Sequence, residues 1–259
     1  MSSEFDRFVE IVAALRGPNG CPWDKKQTHE SLKPYFVEET YEALHAIDEG
    51  DDEELAGELG DVLLQIGLHA QIGSEDGTFT IEDVCRKIGD KLVRRHPHVF
   101  SGVEVSGVED VLTNWQEIKK AERGGQAQES VLDGVVPSLP SLMLAMEVSK
   151  KAARAGFEWP GMADVFVKLQ EETSELEEAI HGGAPEEIES EIGDLLFTIV
   201  NISRWADVDP EQALRSMVRR FSARFRAMED RAKAAGVALE DQTAEDWDEA
   251  WNLAKKEQT

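Results

Sequence analysis

The chain is poor in the residues that mark several protein classes. Its two cysteines among 259 residues, Cys21 and Cys85, are too few for a disulfide framework or a cysteine zinc site and point to a reducing compartment. Basic residues are scarce as well. The 27 Lys and Arg stand against 53 Asp and Glu, and the formal net charge of -26 has the wrong sign for nucleic acid or an anionic membrane surface. Apolar runs stay short, of the type found at 195–200, well below a membrane span. The opening MSSEFDRFVEIVAALRG has neither the basic start nor the long apolar centre of a signal peptide. The expectation is a cytoplasmic protein with no nucleic-acid and no membrane partner. A glycine-rich phosphate loop of the Walker or dinucleotide type is also missing, which leaves a P-loop ATPase without support.

What the chain does have is helical periodicity almost throughout, within an ordinary 41% hydrophobic composition. Phe5, Phe8, Val9, Val12 and Leu15 form one stripe over 4–16, closed by Gly17-Pro18-Asn19-Gly20. Further helices are expected at about 28–48, 52–72, 81–95 (opened by Thr80 as N-cap with Asp83), 108–123, 142–155, 210–235 and a last one ending near Lys256. A chain of this length suits two domains, each large enough for a core. Gly and Pro among polar residues mark 124–140 as a linker, so the expected domains are 1–123 and 141–259.

The most informative stretch is 168–194, KLQEETSELEEAIHGGAPEEIESEIGD. Glu172 and Glu175 share a helix face, as do Glu191 and Asp194, because residues three apart lie on one side. If Gly182-Gly183 reverses the chain, both cross-pairs, Glu172 with Asp194 and Glu175 with Glu191, are centred on position 183 and so face each other. Unit charges about 4 Å apart repel by roughly 4 kcal/mol at an effective dielectric near 20, so four carboxylates call for a cation. Hard oxygen donors suit Mg²⁺ or Mn²⁺. A merely solvated acidic face is the plain alternative.

Repetition argues against that alternative. Glu39, Glu42, Glu58 and Asp61 repeat the pattern around Gly50, with every member 133 residues before its counterpart. The repeat continues outside the carboxylates. GCPWD around Trp23 corresponds to GFEWP around Trp159, Lys91 and Arg95 to Arg220 and Arg224, and Trp115 and Lys119 to Trp251 and Lys255. Each basic pair has i, i+4 spacing and lies on one helix face. A carboxylate cage beside cations and an aromatic ring is chemically a site for a metal-bound polyphosphate with a stacking base. The fold class is therefore all-α, two tandem helical-bundle domains from an internal repeat, each with an acidic hairpin.

These motifs resemble the MazG-type nucleoside triphosphate pyrophosphohydrolases of the all-α NTP pyrophosphatase superfamily. The resemblance rests on LRGPNGCPWDKKQTHESL, EETYE with GELGD, DKLVRRHPHVF, SLPSLMLAM, GFEW, and EETSE with EIGDLLFTIVN, and covers essentially the full length. It implies a homodimer, Mg²⁺ dependence, and hydrolysis of NTPs or dNTPs to NMP and pyrophosphate. It places metal ligands at Glu172, Glu175, Glu191 and Asp194 and triphosphate contacts at Lys168, Arg220, Arg224, Trp251 and Lys255. Glu39, Glu42, Glu58 and Asp61 would form a second metal site, and Lys91, Arg95, Trp115 and Lys119 a second substrate site. On that basis Glu171 or Glu175 takes the proton of an activated water, with Lys168 and the arginines stabilising the leaving pyrophosphate. Two departures stand out: Tyr35 occupies the register of Lys168, and Glu186-Glu187 follow the second turn where relatives can carry a basic residue.

Two other readings remain at this point. Glu42-x-x-His45 and Glu178-x-x-His181 superficially match a di-iron carboxylate bundle, although the two are not repeat equivalents. A non-catalytic helical regulatory or dimerisation module is the second.

Overall fold

The computed structural model describes residues 3–122 and 130–257, without the side chains of residues 112, 116, 119 and 120. It divides into two compact units, Met1–Gln126 and Ala127–Thr259. Every regular element among the described residues is helical.

In the first unit, α1 (Glu4–Arg16) opens on a capping box, in which the Ser3 hydroxyl accepts from the Asp6 amide while the Asp6 carboxylate accepts from the Ser3 amide. Its apolar stripe packs on α3, giving a small core of Val12, Leu32, Leu68 and Ile72 flanked by Phe8 and Leu64. Helix α2 (Lys33–Glu49) starts one turn later than the periodicity predicts, because Thr28–Ser31 side-chain bonds shape a separate turn ahead of it. Helix α3 (Asp52–Glu75) runs a few residues longer than expected. Arg16, whose side chain is only 6% exposed, explains that extension. It grips Glu75 at 2.7 Å and donates to the Asp24 and Gln27 carbonyls, so the end of α3, the end of α1 and the GCPWD turn are tied together. Helix α4 (Ile81–Arg95) begins at the Thr80–Asp83 capping box that the sequence predicts. A single-turn α5 (Pro97–Phe100) and α6 (Val108–Glu122) follow, and α4 packs on α3, α5 and α6.

The second unit repeats the order. Of the expected linker, 124–129 lies outside the described residues, while 130–140 forms turns fastened to the next helix by Lys151 Nζ donating to the Asp133 carbonyl at 2.6 Å. Helix α7 (Ser141–Arg154) packs on α9 and α10. The hairpin α8 (Met162–Gly182) and α9 (Pro185–Trp205) is the tightest pair in the unit, and α10 (Pro210–Ala235) pairs with α11 (Ala244–Glu257). Buried Ser149 on α7 donates to Asn201 on α9 at 2.7 Å and accepts from Arg204 at 2.8 Å, which locks α7 to the hairpin. Arg204 continues to Glu158 at 2.7 Å, so the GFEW loop is held from α9.

Both hairpins turn on a glycine in the left-handed region, Gly50 at φ 70° and Gly183 at φ 74°. A side chain there would strain the backbone, which explains why the two centres of symmetry in the sequence are glycines.

Candidate metal and triphosphate site

Antiparallel pairing of α8 with α9 brings Glu172, Glu175 and Glu191 together, with one oxygen of each within 4.8 Å of the others. Glu172 is buried at 5% exposure, whereas Glu175 and Asp194 are exposed and Asp194 stands outside the trio. In the first unit the corresponding group is Glu39, Glu58 and Asp61, and there Glu42 is the carboxylate outside it. The charges still report the predicted facing pairs. Burial raises the pKa of Glu39, and Asp61 is the strongest charge adding to it; burial raises Glu58 likewise, with Glu42 the strongest charge. Glu175 is raised by burial too, opposed by Lys168 and reinforced by Glu172, Glu171 and Glu191. Both groups consist of oxygen donors alone, which suits a hard divalent cation. Neither contains a histidine. The Glu-x-x-His spacing of a di-iron bundle is therefore not represented in either group.

The surroundings of the two groups differ. Lys168 lies one turn ahead of Glu172 and places Nζ 2.7 Å from an oxygen of Glu171 and 2.7 Å from an oxygen of Glu172. Those two bonds hold the ammonium firmly charged, raising its pKa. In the first unit the same register holds Tyr35, which meets the Trp23 ring edge-on at a centroid distance of 5.7 Å. The GCPWD turn thus packs its tryptophan where the second unit has a cation.

The remaining predicted residues lie on the last helices. Arg224 on α10 sits over the Trp251 ring of α11, 5.5 Å from its centroid, and Phe221 packs on the same ring at 5.2 Å. Arg220 and Lys255 are exposed on those two helices. Helix α10 packs on α7 and α11, so these cations and the carboxylate hairpin belong to different helix pairs of the unit. On the first unit, Lys91 is exposed on α4, Trp115 is half-buried on α6, and the Lys119 side chain lies outside the described residues.

For Arg95 the plain alternative to a phosphate contact is an ion pair with a glutamate, and the structure supplies one in Glu122, which the sequence did not single out. Its guanidinium donates to Glu122 at 2.5 and 3.0 Å, while Arg94 donates to the other oxygen of Glu122 at 2.6 Å. The signal was present in the repeat register, where Glu122 corresponds to Gln258 and Arg94 to Ala223. Glu158, which organises the GFEW loop through Arg204, was likewise not singled out, because its partner lies 46 residues away.

Residues 27–100 and 163–228 match the MazG nucleotide pyrophosphohydrolase domain, so the domain occurs once over each acidic hairpin. The chain is 47% identical to the "Nucleoside triphosphate pyrophosphohydrolase/pyrophosphatase MazG" of Thermotoga maritima, over 97% of this chain and 95% of that one. It is 40% identical to the "Nucleoside triphosphate pyrophosphohydrolase" of Escherichia coli (strain K12), over 99% and 98%. A crystal structure of a MazG-related protein from Thermotoga maritima is 29% identical, covering 44% of this chain and 98% of that one, with a TM-score of 0.39. Two domain matches, two full-length relatives and a duplicated carboxylate hairpin agree with one another: the chain belongs to the MazG family.

Proposed function

We propose that this chain hydrolyses nucleoside triphosphates to NMP and pyrophosphate, using Mg²⁺ or Mn²⁺ held at the α8–α9 hairpin. The observation that carries the reading is the contact of Lys168 with Glu171 and Glu172 beside the Glu172–Glu175–Glu191 trio. It combines anionic metal donors with a cation suited to phosphate oxygens in one turn of helix. Relatives that align over nearly the whole length carry the activity in their names.

Glu172, Glu175 and Glu191 would hold the metal, with Asp194 closing the set from the next turn of α9. The bound cation supplies Lewis-acid polarisation of a phosphoryl oxygen and a water of lowered pKa. Glu171 or Glu175 would accept the proton of that water; Glu171 stands outside the metal trio and is held by Lys168 at 2.7 Å. Lys168, Arg220, Arg224 and Lys255 would balance charge on the departing pyrophosphate, and Trp251 would offer a face for the base. Val167, Leu196, Phe197, Leu214 and Val218 on α8, α9 and α10 are exposed apolar side chains that a homodimer would cover. As part of this proposal we take the domains as 1–123 and 141–259, joined by a linker at 124–140. No described helix is long and apolar enough to cross a membrane, and with both cysteines free we place the protein in the cytoplasm.

Product analysis tests the reaction. A panel of NTPs and dNTPs with Mg²⁺ should give NMP and pyrophosphate; NDP and inorganic phosphate as main products would overturn the assignment. Light scattering on the eluted protein should give twice the chain mass, and a monomer would remove the dimer.

A further inference from the structure

Two histidines of the first unit that belong to neither carboxylate group meet each other directly. His29, in the turn ahead of α2, and His69, in the second half of α3, place their Nδ1 atoms 2.7 Å apart. Their rings lie parallel, with 5° between planes and 5.0 Å between centroids. Phe79 stacks on His29 at 5.9 Å and Phe36 meets His69 edge-on at 6.1 Å, so aromatic rings wall the pair. Leu32, three residues after His29, is fully buried in one core cluster with Leu68, the residue before His69. The histidine contact therefore joins the turn to α3 at the edge of that core.

A hydrogen bond between two Nδ1 atoms needs one that carries a proton and one that is bare, whichever ring donates. One positive charge is compatible with it, because the donor ring can also be protonated at Nε2. Two are not: a doubly protonated pair has no bare Nδ1 and sets like charges side by side. The charged groups on the surrounding elements are engaged elsewhere, Glu30 of the turn with Lys33 of α2, Arg16 of α1 with Glu75 of α3, and Asp83 of α4 with Thr80 and Arg86. Burial first, and then His29, hold the pKa of His69 below its ordinary value of 6.5, and among the described residues no carboxylate acts on it. We infer that His29 and His69 form a proton-operated latch, closed while one Nδ1 is bare and opened by a second proton, which frees the 28–31 turn and the start of α2 from α3. A histidine lowered in the fold is charged more readily in the open state, so the latch is complete above about pH 6.5 and weakens as pH falls below it.

Hydrogen exchange of the full-length chain at about pH 7.5 and about pH 5.5, corrected for intrinsic rates, tests the latch. In the wild type the amides of residues 28–36 should open at least about fivefold more often at the lower pH. H69N, which sets an amide near the place of Nδ1 and takes no proton, should change by less than about twofold. An equal response in the wild type and H69N overturns the inference, as does a wild type that does not respond. Should H69N fail to fold, H29N takes its place, since removing either ring removes the second charge. Should both fail, the wild type decides: a rise at 28–36 with none at 162–169, the equivalent stretch of the second unit, supports the latch, and equal rises contradict it.

Discussion

Gly50 and Gly183 turn the two hairpins in the same way, yet one turn before the first carboxylate stands Tyr35 in one and Lys168 in the other. Around Tyr35 the first unit becomes aromatic, with Trp23 against its ring. Around Lys168 the second becomes an ionic cluster with Glu171 and Glu172. On the following helices Arg95 shares Glu122 with Arg94, and Arg224 lies over the Trp251 ring. Both units thus hold the acidic hairpin, and they differ in the residue one turn ahead of it, Tyr35 in the first and Lys168 in the second. The carboxylates do not distinguish the two units; on the function proposed above, Lys168 does.

The largest effect expected from breaking this comparison comes from the carboxylates facing across the turn. E191Q should lower pyrophosphate release by at least about 100-fold, whereas E58Q should leave the rate near that of the wild type. Glu58 has an oxygen buried without a hydrogen-bond partner, and burial with Glu42 nearby raises its pKa, so neutralising it relieves repulsion. E58Q should accordingly melt at a higher temperature than the wild type in the presence of EDTA. Next in size is the exchange of the cation. K168Y should reduce kcat/KM by about 10- to 100-fold, and Y35F should leave it near the wild-type value; initial-rate measurements on both variants check this.

Smaller still are the backbone effects. No atom lies within 4 Å of a Cβ added at Gly50 or at Gly183, so G50A and G183A each meet only the cost of the left-handed conformation. That cost is about 1 kcal/mol, and chemical denaturation should return similar values for the two variants. The smallest effect concerns acid. Glu122 is held down to about 2 by its bonds to Arg95 and then Arg94, against an ordinary value of 4.5. A depressed carboxylate stabilises the fold above its unfolded pKa, so this contribution is complete above about pH 4.5 and fades as pH falls toward 2. E122Q should flatten that part of the acid-denaturation curve of the first unit.

Much of this was legible in the chain itself. The turn glycines, the Thr80–Asp83 cap and the facing pairs Glu39–Asp61 and Glu42–Glu58 follow from spacing, because a helical hairpin converts sequence symmetry about its turn into spatial pairing. The contacts of Lys168 are local as well, three and four residues away. What spacing could not supply was the fate of long side chains between helices. Arg16 to Glu75, Arg204 to Glu158 and Arg95 to Glu122 depend on how separate helices lie against each other, and periodicity carries no such distance. Only the repeat register held a trace of the last, through Gln258 in place of Glu122.

The central proposal is that the α8–α9 hairpin is the principal catalytic site of the chain, and one pair of variants tests it directly. E172Q and E39Q are assayed side by side for pyrophosphate release from NTPs at saturating Mg²⁺, with folding of each confirmed by its circular dichroism. The account predicts that E172Q loses at least about 100-fold in rate and that E39Q retains nearly all of it. An active E172Q, or an E39Q as impaired as E172Q is predicted to be, would contradict it.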